Sequence, residues 1–219
     1  LGVKIFEGTK VEKYTPGETI VIKTTNGEVR AKQLILAGNA YLGELAPKIA
    51  HKILPAGSYI IATEPLSESV YKSLLPNNHA VCDQKIELDY FRLSADKRLL
   101  FGGLCNYSAR DPKNIAATLT PKMLSVFPEL ADVNIDFQWG GMIGIGANRL
   151  PQIGRLDHNI YYAQAYSGHG VNITHVAGKI LAEAISGESS LIKHFEKVKH
   201  FTFPGGKDLR SPLLAMGMM

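Results

Sequence analysis

The residues best suited to chemistry in this sequence are Ser167-Gly168-His169-Gly170. They follow Tyr161, Tyr162 and Tyr166, aromatic residues that favour a strand. After them comes an apolar, small-residue stretch ending at Gly187, a residue suited to a helix C-terminal cap. The pattern predicts a strand, a glycine-hinged turn and a helix of about 16 residues. Gly168 and Gly170 let the main chain take conformations closed to other residues and let a ligand come close. The helix start presents unpaired N–H groups and the positive end of its dipole, which suit an anionic or electron-rich group, most often phosphate. The same local pattern also serves as a plain packing turn, and both readings stay open at this level. It is not the dinucleotide fingerprint: GxGxxG needs Gly or Ala where Ile173 stands, and no acidic residue closes a second strand about 20 residues on.

Other chemistry is sparse. No GxSxG, P-loop or HExxH segment occurs, and His169 and His175 lie six residues apart, a poor spacing for two ligands on one helix face. No metal site and no carboxylate pair for glycoside hydrolysis is expected. Cys82 and Cys105 form no metal or redox spacing and read as buried thiols of a reducing cytoplasm. The net charge of +4 comes from basic and acidic residues spread along the chain, which argues against a nucleic-acid partner. No apolar run reaches the length of a membrane span.

The elements around the turn read as follows. Residues 3–6, 11–14, 19–24 and 29–36 suit strands, with a turn at Asn26-Gly27. The run from Gln33 to Ala37 is apolar enough for a strand buried on both faces, and it leads into the small residues Gly38-Asn39-Ala40. Residues 51–63 predict a strand with a bend or bulge near Pro55-Ala56-Gly57. Two more strands are expected over 85–93 and 99–103. On the first, Leu88, Tyr90 and Arg92 share a face that either lines a pocket or meets solvent. Asp111-Pro112 suits a helix start running to about Phe127, kinked or split by Pro121. A strand over 134–141 and a glycine-rich functional loop over Met142–Gly154 precede the opening strand. The helix after Gly170 is apolar around most of its circumference, which predicts burial. A short amphipathic segment, 191–198, follows it. This order is not a regular βαβ series and predicts an α+β fold with a large antiparallel sheet. The first residues read as the middle of a sheet and SPLLAMGMM as a cut helix, so a piece of a larger protein is expected.

Taken together, YSGHGVNITHVAGKILAEAISGE, LILAGNAYLGELAP with LPAGSYIIATEPL, RLLFGG and WGGMIGIGANRLPQIGRL resemble the flavin-dependent amine and amino-acid oxidases, over nearly the whole chain. The family's GxGxxG segment, which holds the FAD pyrophosphate, is not in this sequence. The resemblance implies a mixed or antiparallel substrate-domain sheet beside the later part of a Rossmann-like FAD-binding domain. Residues 1–50 and 141–219 would belong to the FAD-binding domain and 51–140 to the substrate domain.

By position, the resemblance puts Val11 beside the adenine and Ala37 and Gly38 at the small strand end next to the cofactor. Gly168, His169, Gly170, Val171 and Asn172 fall at the pyrimidine edge of the flavin. Free amides there would stabilise the negative charge of reduced flavin. The sequence also departs from its relatives. Sarcosine oxidases have an aromatic residue and lysine where Val171-Asn172 stand, and they attach the flavin through a cysteine that Met142–Gly154 lacks, so FAD would be noncovalent. Glycine oxidase has a substrate-gripping arginine where Ile143 stands, and an aliphatic side chain cannot hold a carboxylate. The implied substrate is a small amine without a carboxylate beside the reacting nitrogen, such as γ-glutamylputrescine, oxidised to an imine and then an aldehyde with oxygen as acceptor. The amine must be neutral, so alkaline activity is expected. Tyr90, Arg92 and Ile143 are the candidate substrate-face residues. A glycine- or sarcosine-type oxidase and a β-rich binding module without redox activity are the competing readings. Alone, the chain is expected to hold FAD weakly and to self-associate through exposed surface.

Overall fold

The computed structural model describes residues 2–85, 88–107, 111–188 and 190–204. Its strands are β1 (Val11–Thr15), β2 (Ile20–Thr24), β3 (Gly27–Ala31), β4 (Leu34–Leu36), β5 (Ile53–Thr63), β6 (Val81–Cys82), β7 (Tyr90–Leu93), β8 (Leu99–Asn106), β9 (Ile135–Gly146), β10 (Gln152–Asp157) and β11 (Ile160–Gln164). The α-helices are α1 (Pro47–Ala50), α2 (Glu68–Leu74), α3 (Ile115–Val126), α4 (Gly170–Ile185) and α5 (Ile192–Glu196). Single 3-10 turns occupy Asn39–Tyr41, Gly43–Leu45 and Pro128–Leu130.

The chain divides into two compact units. The first gathers residues up to Leu54 and those from Ile143 to the end of the described residues; the second runs from Pro55 to Met142. The crossings fall inside β5 and inside β9.

The first unit holds two three-stranded sheets. One is the antiparallel meander β1-β2-β3; the other has the order β10-β11-β4, with β10 and β11 antiparallel and β11 and β4 parallel. Ile20, Ile22, Leu36, Leu42, Ile49 and Ile160 form one core. Ile153, Tyr161 and Ala163 pack with Ala177, Ile180, Leu181 and Ala184 of α4. These four helix positions recur at the helical period and so form one stripe. The other side is open: Val171 is 90% exposed and Val176 56%. The expectation of a fully interior helix is therefore corrected, because the small residues spread apolarity around the helix without packing on all sides.

The second unit is built on the sheet ordered β6-β7-β8-β5-β9. One face carries Tyr59, Ile61, Leu93, Leu99 and Phe101 against Leu119 and Met123 of α3, with Phe127 and Leu130 closing the cluster. Each such fully buried aliphatic or aromatic side chain contributes about 1.5–3 kcal/mol. Asn114, not Asp111, caps α3, its side chain accepting from the Ala117 amide at 3.0 Å. The helix runs on through Pro121 without splitting, since a proline removes only one of its hydrogen bonds.

Several strand expectations need correction. Residues 3–6 belong to no strand; they have no ladder partner, and Val3, Ile5 and Phe6 are exposed. The 29–36 run breaks into β3 and β4. β4 lies at a sheet edge with Ile35 45% exposed, so it is not buried on both faces. Of the described residues in 85–93, only Tyr90–Leu93 is strand; before it, Asp83 accepts from the amides of Lys85 and Asp89, each at 3.1 Å. Cys82 is exposed and Cys105 only half-buried, both free, so neither is the buried thiol expected. The SPLLAMGMM segment lies outside the described residues.

The largest correction concerns Met142–Gly154, read from its glycines as a loop. β9 continues to Gly146 and β10 begins at Gln152, so most of this segment is strand, the two strands belonging to different sheets. Its glycines make room for other side chains. A Cβ on Gly144 would stand 2.2 Å from Asn39 Oδ1, and one on Gly154 3.0 Å from the Tyr162 hydroxyl. The same device recurs in the second unit. A Cβ on Gly140 would meet the Tyr59 ring at 2.4 Å, and one on Gly102 the Tyr90 ring at 2.1 Å. Strand glycines roofed by rings keep both packing and pairing, which composition alone does not reveal.

Candidate functional site

The parallel pair β4/β11 sets the geometry. Tyr162 sits opposite Leu36, so both strands deliver their carboxyl ends to one edge of the sheet. In open α/β sheets that edge is where ligands bind. The chain leaves β4 through Ala37-Gly38 and leaves β11 through Ala165 to the Ser167-Gly168-His169 turn.

Beside the end of β4 lies a groove of about 820 Å³, lined by Val11, Tyr14, Ile35, Ala37, Gly38 and Tyr41 among others. Three positions singled out in the sequence, Val11, Ala37 and Gly38, therefore share one wall. Gly38 has no room to spare: a Cβ there would lie 3.2 Å from Leu42 Cδ1. Burial raises the Tyr14 phenol above its ordinary value, so it stays protonated at the groove.

Asn39 links the two strand ends. Its backbone is left-handed at φ 45, and its Oδ1 accepts from the Ala165 amide at 2.9 Å. Ala165 and Ser167 are also left-handed, at φ 60 and 53, and Gly168 at φ 95. A run of such backbone persists only where the surroundings hold it, and runs of this kind gather at ligand sites. The surroundings here are β9: the Ser167 amide donates to the Gly144 carbonyl at 2.9 Å, and the Gly146 amide donates to Ser167 Oγ at 3.3 Å. Ile143, next to Gly144, is thereby held beside this turn. The sequence reading missed Asn39, because its partner lies far along the chain; its place after Gly38 at a strand end was the only local signal.

α4 begins at Gly170 with His169 as its N-cap residue, no side-chain cap and no acidic residue in the first turn. Gly168, His169, Val171 and Asn172 are exposed and Gly170 half-buried. The helix start is thus open, with its free amides not taken up by a side chain. Burial raises the neighbouring Tyr166 phenol. Among the described residues no cluster of His, Cys, Asp or Glu could hold a metal ion, and no helix is long and apolar enough to cross a membrane.

Tyr90 and Arg92 lie in the second unit, on the sheet face opposite its core. Tyr90 pairs with Gly102 and Arg92 with Leu100. The Tyr90 hydroxyl is 3.0 Å from Ser58 Oγ, and Arg92 is exposed.

The profile of the FAD dependent oxidoreductase family, DAO, matches residues 1–184. The chain is 45% identical to gamma-glutamylputrescine oxidoreductase of Escherichia coli (strain K12), over 99% of its own length and 51% of that protein's. It is 42% identical to probable oxidoreductase OrdL of Haemophilus influenzae, over 100% and 51% of the two chains. Among solved structures it is similar to glycine oxidase from Geobacillus kaustophilus, with a TM-score of 0.72 at 16% identity, covering 90% of this chain and 53% of that one. L-proline dehydrogenase from P. horikoshii gives a TM-score of 0.70 at 20% identity over 87% and 53%. At such identities the structural likeness speaks for the fold alone. The chain spans about half the length of the curated relatives it matches. A family profile over most of the sequence, with relatives this similar across its full length, establishes that the chain belongs to the FAD-dependent oxidoreductase (DAO) family.

Proposed function

We propose that this chain forms the flavin-ring contact and a substrate face of an enzyme that oxidises an amine at its C–N bond to an imine, which water converts to an aldehyde. FAD is the cofactor of the family, and the residues present fit it. The observation that carries the reading is the joint made by Asn39 between the groove at the end of β4 and the glycine turn at the end of β11. Gly38 leaves the wall bare where a side chain would collide, and the start of α4 offers unpaired amides with no acidic residue against them. Val11, Ala37 and Gly38 would hold the nucleotide side, and Gly168, His169, Gly170, Val171 and Asn172 the ring. Noncovalent attachment is part of the proposal, supported by the absence of cysteine from Met142–Gly154, where the sarcosine oxidases attach their flavin.

Bound FAD supplies the acceptor for a hydride from the carbon beside the amine nitrogen. The chain's own part is electrostatic and steric. Amides aimed at the place where negative charge develops stabilise it without reorganising. Ile143, held beside the turn, offers no partner to a carboxylate, so the side chain favours an amine with only hydrogens or alkyl groups on the reacting carbon. The name of the E. coli relative supports γ-glutamylputrescine as the substrate, and oxygen as acceptor is part of the proposal.

The test is a substrate screen of the native gene product loaded with FAD, following oxygen uptake and aldehyde formation. Acyl-diamines turned over far ahead of glycine and sarcosine support the reading; the reverse order makes it an amino-acid oxidase. Rates should climb with pH as an amine with an ordinary value of about 10.4 loses its proton. Titration of the isolated chain with FAD should give weak binding, because the GxGxxG segment is not in this sequence; submicromolar affinity would contradict that.

A further inference from the structure

A side-chain amide has an acceptor end and a donor end, and fixing the first fixes the second. Asn39 Oδ1 accepts from the Ala165 amide at 2.9 Å. A backbone N–H can only donate, so the oxygen of Asn39 must face Ala165 and Nδ2 must turn away from it. Nδ2 also faces away from β9. A Cβ on Gly144 would have Asn39 Oδ1 and Cγ as its nearest atoms, at 2.2 and 3.0 Å, and then Ile53 Cγ2. Among the described residues Nδ2 makes no hydrogen bond, and it is not one of the buried unpaired atoms, so it is open to a partner from outside the fold.

Other amides of the first unit behave differently. Asn159 Nδ2 donates to the Gly17 and Lys32 carbonyls at 3.0 Å, and Gln164 Nε2 donates to the Ile49 carbonyl at 2.9 Å. Their donors serve the fold, whereas Asn39 gives the fold only its acceptor. Asn39 is also held with left-handed backbone at φ 45, just past the carboxyl end of β4, on the sheet edge where ligands bind.

We propose that Asn39 Nδ2 is a cofactor-binding donor, bonded to an oxygen of the ribityl–diphosphate linker of FAD. This rests on the reading above, which puts the nucleotide along the groove at the end of β4 and the flavin ring at the turn after β11. Asn39 joins these two places, so the part of FAD it meets is the part that joins the two ends of FAD. The linker offers hydroxyl and phosphate oxygens, and a neutral N–H suits either. The bond to Ala165 holds the amide in the donating orientation beforehand, so little side-chain freedom is lost when FAD binds.

Asn39→Asp separates the two ends of the amide. It keeps an oxygen for the Ala165 amide and a residue type that tolerates left-handed backbone, and it replaces only the donor. The native gene product, stripped of flavin and titrated with FAD, should bind about 10- to 100-fold more weakly as Asn39→Asp than as wild type, the range for a hydrogen bond to a charged group. The urea midpoint of the apoprotein should stay close to that of wild type, and the visible spectrum of the bound flavin should be unchanged, since the ring is not touched. Equal FAD affinity overturns the proposal and leaves the oxidase reading standing. Wild type that takes up no FAD removes the oxidase reading, and the proposal with it. Should Asn39→Asp fail to fold, the wild-type side chain decides. With isotope-labelled asparagine, the Nδ2 proton resonances, assigned by their loss in Asn39→Gly, should shift and exchange with solvent more slowly once FAD is added. Resonances indifferent to FAD overturn the proposal.

Discussion

Asn39 Oδ1 accepts a hydrogen bond from the Ala165 amide at 2.9 Å, across 126 residues of sequence. Ala165 is fully buried, so this amide has no water to turn to. Asn39→Ala removes the acceptor and also puts alanine at a left-handed position. The expected cost is about 2–4 kcal/mol, from an orphaned buried donor plus backbone strain. Asn39→Gly relieves the strain and should cost about 1–3 kcal/mol. Urea denaturation of each variant measures the difference, and both should retain less flavin.

Gly144 and Asn39 should be coupled. Alanine at 144 would put its Cβ 2.2 Å from Asn39 Oδ1, a collision that displaces the amide group from Ala165. Gly144→Ala alone is expected to cost about 1–3 kcal/mol. In the Asn39→Gly background the obstructing atom is gone, so the second substitution should cost much less. A double-mutant cycle in which the two effects simply add would refute the coupling.

The two glycines of the opening turn make different demands. Gly168 has φ 95 and open space around it, so Gly168→Ala should lose about 1 kcal/mol to backbone strain alone. A Cβ on Gly170 would find its nearest neighbour, Tyr166, at 3.9 Å, an ordinary contact. Gly170→Leu should therefore leave the denaturation midpoint nearly unchanged while lowering flavin content or the rate of flavin reduction. Unchanged flavin properties would count against the ring contact proposed there.

Alkaline stability should report Tyr59. Burial first, and then its hydrogen bond to Asp111, push the phenol from 10.0 up to about 12. The folded value lies above the unfolded one, so between these pH values the unfolded chain holds fewer protons. The contribution is present in full below pH 10 and is lost as pH rises towards about 12. Tyr59→Phe removes the ionisation, so the variant's denaturation midpoint should fall less than wild type's on crossing pH 10.

What the sequence disclosed follows the range of the interactions concerned. The β1–β3 meander, β11 and α4 are local patterns, and alternation or helical period with a glycine stop made them legible. The end of β9 and the start of β10 were misread because Gly144 and Gly154 are explained by Asn39 and Tyr162, which reach them from other segments. Asn114 displaced Asp111 as the cap of α3, a choice between two good capping residues that local rules do not rank. At the site, positions 11, 37 and 38 were named through resemblance, and they line one groove. Asn39, which ties that groove to the turn, has a small amide among small residues as its only local mark.

The Tyr59 ring also bears on how sequences of this family drift. With its hydroxyl it fills the space a side chain would need at both Gly57 and Gly140, where a Cβ would come 2.2 Å from the hydroxyl and 2.4 Å from the ring. The three positions should therefore vary as a group in homologues: glycine at 57 and 140 wherever an aromatic stands at 59, and larger residues at both only where position 59 has shrunk. An alignment deep enough to show coevolution would find this triplet linked, and ancestral steps through a single change at any one of the three should be rare.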